Sequence, residues 1–111
     1  MEHSTQAVSP LSETTFLILL ILGGGPKHGY AIMKEVEELS QGRVQLSTGT
    51  LYGAIKRLLA DGWINRLNLP EDSNDARLRK SYVLSAHGRK VLRTETQRLR
   101  KLIELATQRA Y

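Results

Sequence analysis

The chain has 111 residues, of which 41% are hydrophobic, and this is enough for one domain with a modest core. It contains no cysteine, which excludes disulfide bonds and thiolate metal sites. The net charge of +5 is unevenly distributed: residues 1–76 carry 6 Lys/Arg and 9 Asp/Glu, whereas residues 77–111 carry 10 Lys/Arg and 2 Asp/Glu. Such a basic C-terminal part favours a polyanionic partner, either nucleic acid or a membrane surface. A solvated helix can have the same composition.

The first predicted element is a very apolar helix. Residues 1–10 are polar and are predicted to form a flexible tail with no secretory signal, so we expect a soluble, cytoplasmic protein. Ser12 is a good N-cap for a helix from about Glu13 to Leu22, which ends at the glycines that follow. Its middle, FLILLIL, is apolar on every side but far shorter than the ~20 residues that span a bilayer. Because a short chain has little material to cover such a helix, the pattern indicates a partner subunit.

Two more helices follow, with a short alternating segment between them. Apolar residues recur at helical spacing over about Gly29–Leu39, which predicts the second helix. After a break at Gln41-Gly42, the alternation of Val44–Leu46 predicts one very short strand. Ser47 then caps a third helix, which ends at Asp61-Gly62.

The last third predicts a hairpin and a long helix. Residues 63–69 and 78–84 alternate as two strands around the acidic tip PEDSNDA, and Ser85 caps a fourth helix of about 23 residues. The order of elements predicts a mainly α fold with a small antiparallel β-wing, which is a winged helix-turn-helix plus a long C-terminal helix. We therefore predict a tail at 1–10, a DNA-binding domain at 11–84 and a dimerisation helix at 85–111.

The outer face of the third helix is unusual for a solvated surface. It carries two glycines, Gly49 and Gly53, each of which costs roughly 0.5–1 kcal/mol against alanine inside a helix. Glycine would let the backbone approach a duplex closely, and the hydroxyls beside it can bond bases or phosphates. Three alternatives remain open: Gly53 packs against another helix, Thr50 serves the cap alone, or Tyr52 is core. The predicted DNA contacts of this helix are Ser47, Thr48, Gly49, Thr50, Tyr52 and Lys56.

Six further side chains are candidates for holding the DNA backbone or reaching the minor groove. Three flank the start of the second helix, where Tyr30 could instead belong to the apolar stripe and His28 could be a solvated cap. Three lie near the hairpin tip, where they could instead balance the acids of PEDSNDA. The six are Lys27, His28, Tyr30, Arg77, Arg79 and Lys80.

Three segments together resemble the PadR family of transcriptional regulators, over about residues 11–105. His28–Ile32 resembles the family's HGY-x-I segment. Residues 47–52, with the later D-G-W-I, resemble its recognition helix, and residues 79–88 resemble its wing strand and final helix start. Members often have proline where Gly53 stands and an aromatic residue where Ser81 stands. The short single C-terminal helix is similar to that of the smaller subgroup.

The resemblance implies a homodimeric regulator, usually a repressor, that binds a palindromic site in double-stranded DNA and needs no cofactor or metal. In such proteins the C-terminal helix packs on the partner's first and last helices. Some members bind flat aromatic compounds between subunits, but Tyr111 is the sole aromatic residue of the fourth helix here, so the sequence does not specify an effector. The interface implied here comprises Phe16, Leu17, Leu20, Leu92, Leu99, Leu102, Ile103 and Ala106.

Other functional classes have weaker support in the sequence. The three histidines are scattered and lack acidic neighbours at metal-binding spacing, and no phosphate-binding glycine loop follows a strand, so we do not expect an enzyme. A winged helix that assembles with other proteins without binding DNA is the main alternative. A membrane-surface role for the basic fourth helix is a more distant one.

Overall fold

The structure is a computed structural model that describes residues 10–67 and 80–110. Helices dominate this part of the chain, and a small antiparallel sheet joins them, which confirms the predicted fold class. The elements in chain order are α1 (Glu13–Gly23), β1 (Lys27–His28), α2 (Gly29–Leu39), α3 (Thr48–Ala60), β2 (Ile64–Leu67), β3 (Ser81–Leu84) and α4 (Ala86–Arg109).

The sheet has three strands in the order β1-β3-β2, and the third strand is not the one predicted. The strand predicted at Val44–Leu46 is wrong, because Val44 and Leu46 alternate with an exposed residue but pair with no strand in the described ranges. The additional strand is β1, in which Lys27 lies opposite Tyr82 and His28 lies opposite Ser81. This pairing joins the start of α2 to the first residues of β3, which with β2 forms the wing.

Helix α1 is the central helix of the core, and most of it is covered by this same chain. It contacts α2, β3 and α4, so the expectation that a partner must cover it is largely wrong. Leu20 is the exception, with 45% of its surface exposed, whereas Leu17 is 9% exposed and has little surface left for a partner. The buried apolar residues of α1 are Leu17, Ile18, Leu19, Ile21 and Leu22.

Serine N-caps begin three of the four helices where the sequence predicted them. Each serine hydroxyl accepts a hydrogen bond from the backbone N–H three residues later, at 2.9 to 3.1 Å. This satisfies one of the amides that a helix start leaves without an intrahelical partner. The capping serines are Ser12 for α1, Ser47 for α3 and Ser85 for α4.

Helix α4 is attached to the body along its first half and projects from it along its second half. Its buried residues are Gly88, Val91 and Glu95, whereas residues 101–110 are all exposed. Trp63, which follows α3 and precedes β2 in the chain, is buried in the core. The long helix is therefore anchored at one end only within this chain.

Candidate nucleic-acid interface

The outer face of α3 is open because of its two glycines. A Cβ atom built at either Gly49 or Gly53 would meet no atom of the described structure within 4 Å. The alternative that Gly53 packs against another helix of this chain is therefore wrong. Both residues are exposed, while Leu51 and Ile55 are buried on the opposite side of the helix. No side chain projects from α3 at these two positions, so a ligand can approach the helix backbone closely.

The N-terminus of α3 combines a structural cap with exposed hydroxyls. The Ser47 hydroxyl accepts from the Thr50 amide at 3.1 Å and donates to the Thr50 hydroxyl oxygen at 2.9 Å. Ser12 and Thr15 make the same pair of bonds at the start of α1. Because the pair recurs at a second helix start, we assign Thr50 a part in the cap of α3. The Thr50 O–H can still donate to a ligand. Thr48, in the first turn, is exposed.

Further along α3, the outer face carries an aromatic residue and two cations. Tyr52 is half-buried, which is intermediate between the predicted DNA contact and the core alternative. Lys56 lies one turn later and is exposed, as is Arg57. The first turn contains no acidic residue, so the positive end of the helix dipole is not neutralised there. The face is suited to an anionic ligand at its start and along its length.

The three candidates at the start of α2 have different surroundings. The Lys27 ammonium lies 2.8 Å from the Glu35 carboxylate, so its charge is partly compensated. His28 is half-buried and makes no capping bond, and its Nδ1 lies 3.2 Å from the Ser81 hydroxyl. Tyr30 is 53% exposed, which contradicts its assignment to the apolar stripe; its ring lies 5.8 Å from the Lys34 ammonium.

The wing is described in part. Arg77 and Arg79 lie outside the described residues. Lys80 is half-buried, and its backbone carbonyl accepts a hydrogen bond from the Gly29 amide at 3.3 Å. Ser81 is buried, and its bond to His28 was not predicted. The wing base and the start of α2 are thus held together by backbone and side-chain contacts.

A separate group of exposed apolar side chains lies on the second half of α4. Ile103 is 65% exposed, and Leu102 and Leu105 beside it are nearly half exposed. Among the other predicted interface residues, Leu20 and Ala106 are exposed, while Phe16, Leu92 and Leu99 are half-buried. Large apolar side chains exposed next to one another on a helix are typical of a surface that binds a partner.

Residues 10–67 and 80–110 contain no group of three His, Cys, Asp or Glu side chains that could hold a metal ion. No helix in these same ranges is both long and apolar enough to cross a membrane.

Comparisons with known proteins identify relatives of this chain. The transcriptional regulator PadR-like family model matches residues 18–94. The chain is similar to a PadR family transcription regulator from Clostridium difficile R20291, with 31% identity, a TM-score of 0.72 and coverage of 87% of this chain and 97% of that one. It shares the fold of a transcriptional regulator from Clostridium thermocellum, with 22% identity, a TM-score of 0.68 and coverage of 87% and 92%.

A curated relative is much longer than this chain. It is an uncharacterised 37.1 kDa protein in a transposon of Streptomyces fradiae, and it is 32% identical over 91 residues. The match covers 82% of this chain and 24% of the relative.

Proposed function

Since this chain belongs to the PadR-like family of transcriptional regulators, we propose that it is a sequence-specific DNA-binding regulator of the cytoplasm. The family consists of transcriptional regulators and not of enzymes. In our proposal the protein acts as a homodimeric repressor that recognises a palindromic operator with α3 and contacts the flanking DNA with the wing. A small-molecule effector that releases the DNA is part of this proposal.

The observation that carries the proposal is the open outer face of α3. Packing within residues 10–67 and 80–110 does not require glycine at position 53, because a Cβ there would meet no atom of these residues within 4 Å. Glycine also weakens the helix by roughly 1 kcal/mol relative to alanine. A residue that costs stability and serves no packing is accounted for by a ligand that must approach the backbone closely. A DNA duplex in its major groove is such a ligand.

Within this site we assign separate roles to the side chains. Thr48, Thr50 and Tyr52 would read base edges through their hydroxyls, and Lys56 would bind phosphate. Ser47 caps the helix, which aims free amides and a positive dipole end at a phosphate. The start of α2, with Lys27, His28 and Tyr30, would hold the backbone beside the groove, as would Arg77, Arg79 and Lys80 of the wing.

A dimer follows from the proposed operator symmetry and from the apolar surface of α4. Two copies of α3 related by a two-fold axis would enter successive major grooves about 34 Å apart. The exposed side chains of Leu102 and Ile103 supply apolar area that a second copy would bury. Leu20 of α1 would add to it.

A substitution of Gly53 by glutamine tests the proposed contact. Glutamine has a higher helix propensity than glycine and finds open space here, so we expect the free energy of unfolding to rise by roughly 0.5 kcal/mol. The same side chain would stand between α3 and the groove, so we expect operator affinity to fall at least about a hundredfold. Urea denaturation and a DNA titration on the same sample measure both quantities.

Thr94→Ala is the matched control, because it also raises helix propensity at an exposed position, on α4. It should gain stability and keep operator affinity. If Gly53→Gln bound DNA as well as the parent protein, α3 would not be the reading helix. The alternative of a winged helix that binds other proteins would then take first place.

A further inference from the structure

Helix α4 has one buried carboxylate, at the point where the helix leaves the body. Glu95 is 3% exposed, and it is the last residue of α4 that is buried in this chain. From residue 101 to residue 110 every position is exposed, so this part extends about 15 Å beyond the body as a rigid rod. A small change in the tilt of α4 near Glu95 would therefore displace everything that the projecting half carries.

Residues in the described part of the chain give the Glu95 carboxylate three hydrogen bonds. One oxygen, Oε2, accepts from the backbone amide of Leu11 at 3.0 Å and from Nη2 of Arg98 at 2.6 Å. The other oxygen, Oε1, accepts from Nε of Arg98 at 2.8 Å. A buried carboxylate is costly unless it is paired and hydrogen-bonded, and here both oxygens have partners. The partners come from two different parts of the chain.

The bond to Leu11 connects α4 with α1 across 84 residues of sequence. Leu11 packs against the core and immediately precedes Ser12, the N-cap of α1. Because α1 is the central helix of the body, this bond fixes α4 to the helix on which the whole winged domain is built. Apolar contacts at Val91 and Leu92 resist separation of the helices but specify direction poorly, whereas hydrogen bonds are directional.

We infer that Glu95 is a positioning residue that sets the angle between α4 and the winged domain, and through it the spacing of DNA half-sites that a dimer accepts. The inference rests on the proposed function. If two copies associate through the projecting halves of α4, the angle at Glu95 determines how far apart the two α3 helices lie. Half-site spacing on DNA must match that separation.

The test compares the full-length protein with Glu95→Gln on a series of duplexes. The duplexes carry the operator found by footprinting the protein's own promoter region, with the half-site spacing changed one base pair at a time. Glutamine keeps the size and one acceptor oxygen but loses the charged pair with Arg98. We expect the wild type to prefer one spacing, and we expect this preference to fall about tenfold in the variant, the factor that corresponds to one charge-assisted hydrogen bond.

A distance measurement supplies a second readout without DNA. The chain has no cysteine, so Ala60→Cys at the exposed end of α3 gives one spin label per protomer. We expect a narrow label-to-label distance distribution in the parent dimer and a broader one when Glu95→Gln is added. Glu38→Gln, the same chemical change at an exposed position of α2, is the control and should leave both readouts unchanged.

The outcomes separate this inference from the proposed function. A Glu95→Gln dimer with the parent's spacing preference and narrow distances would overturn the inference. A parent protein that neither dimerises nor selects a spacing would overturn the proposed function instead. If Glu95→Gln does not fold, Arg98→Gln replaces it, because it removes both bonds that Arg98 donates to Glu95 and leaves the bond from Leu11. That variant must then show the broader distances.

Discussion

At the scale of single residues, two glycines that both lie within helices have opposite surroundings. Gly53 faces open space, whereas a Cβ at Gly88 would overlap the carbonyl oxygen of Trp63 and lie 2.8 Å from its carbonyl carbon. The amide of Ser85 donates to that same carbonyl oxygen at 3.0 Å. The start of α4 is therefore in backbone contact with the residue that precedes β2. Glycine is therefore required for packing at position 88 and not at position 53.

Gly88→Ala should be strongly destabilising. The clash is with the backbone and cannot be relieved by a rotamer change, so we expect the free energy of unfolding to fall by about 3 kcal/mol. Gly53→Ala is the control, and it should raise stability by roughly 0.5–1 kcal/mol, since its Cβ would meet no atom of the described residues within 4 Å. Urea denaturation of both proteins measures the two changes. If Gly88→Ala were as stable as the parent, glycine would not be required for packing at position 88.

The ion pair between Glu13 and Arg43 predicts a pH dependence. Two hydrogen bonds, at 2.9 and 2.7 Å, join the start of α1 to the segment before α3. The bonds from Arg43 hold the pKa of the Glu13 carboxyl below its usual value, since they favour the charged form. A carboxyl whose pKa is lower in the folded state stabilises the protein above its unfolded-state pKa, and this contribution is lost as the pH falls through the folded-state pKa.

We therefore expect Glu13→Gln to lower the melting temperature near neutral pH. The difference from the parent should shrink as the pH falls below the usual carboxyl range and vanish once Glu13 is protonated in the folded protein. Thermal melts of both proteins across pH measure it. Glu38→Gln serves as the control. A difference that grew on acidification would mean that the pair does not stabilise the fold.

At the scale of elements, hydrophobic period and capping residues were sufficient to predict the helices. The bounds of α2 match the prediction, and Ser12, Ser47 and Ser85 each form the predicted cap. The strand at Val44–Leu46 was wrong because alternating burial reports which side chains face the core and not whether a pairing strand lies beside them.

Long-range contacts were beyond the reach of sequence patterns. Strand β1 has two residues, and it exists because His28 and Lys27 meet β3 after the hairpin returns. Glu95 stands among polar and basic residues in the sequence, whereas in the structure it is buried and accepts a hydrogen bond from the Leu11 amide. The accessible backbone on the outer face of α3 could be predicted from Gly49 and Gly53 alone, because glycine has no side chain to cover the backbone in any helix.

The projecting half of α4 supports a prediction about assembly. Ile103 is 65% exposed in this chain, so Ile103→Asp removes no packing from a single copy. In the proposed dimer the same carboxylate would be buried against apolar residues, and we expect the association constant to fall at least about a hundredfold. Sedimentation velocity measures the assembly, and circular dichroism should report an unchanged fold. Thr94→Asp, in the attached half, should still form the dimer.

At the scale of the whole molecule, one side of α4 carries a cluster of positive charge. By helical geometry, five exposed basic residues lie on the side away from Gly88, Val91 and Glu95. None of the five forms an ion pair with another residue in the described ranges. Such a surface would attract DNA at long range without reading bases. The five are Arg89, Lys90, Arg93, Arg100 and Lys101.

Reversing two of these charges should therefore change the rate of binding and not its specificity. For Arg93→Glu combined with Arg100→Glu, we expect the association rate at low salt to fall about tenfold and to depend less on ionic strength. The affinity ratio between operator and scrambled DNA should stay the same, because no base contact is lost. Rapid-mixing kinetics with both duplexes measure this, and a changed ratio would mean that α4 reads sequence.

The proposed function is that of a dimeric regulator that recognises one DNA site. The most direct measurement is binding of the purified protein to its own promoter-region duplex and to a scrambled duplex across a salt series. We predict tight, steeply salt-dependent binding at one palindromic site, with two protomers per site. Weak and equal binding to both duplexes, even at low salt, would contradict the claim.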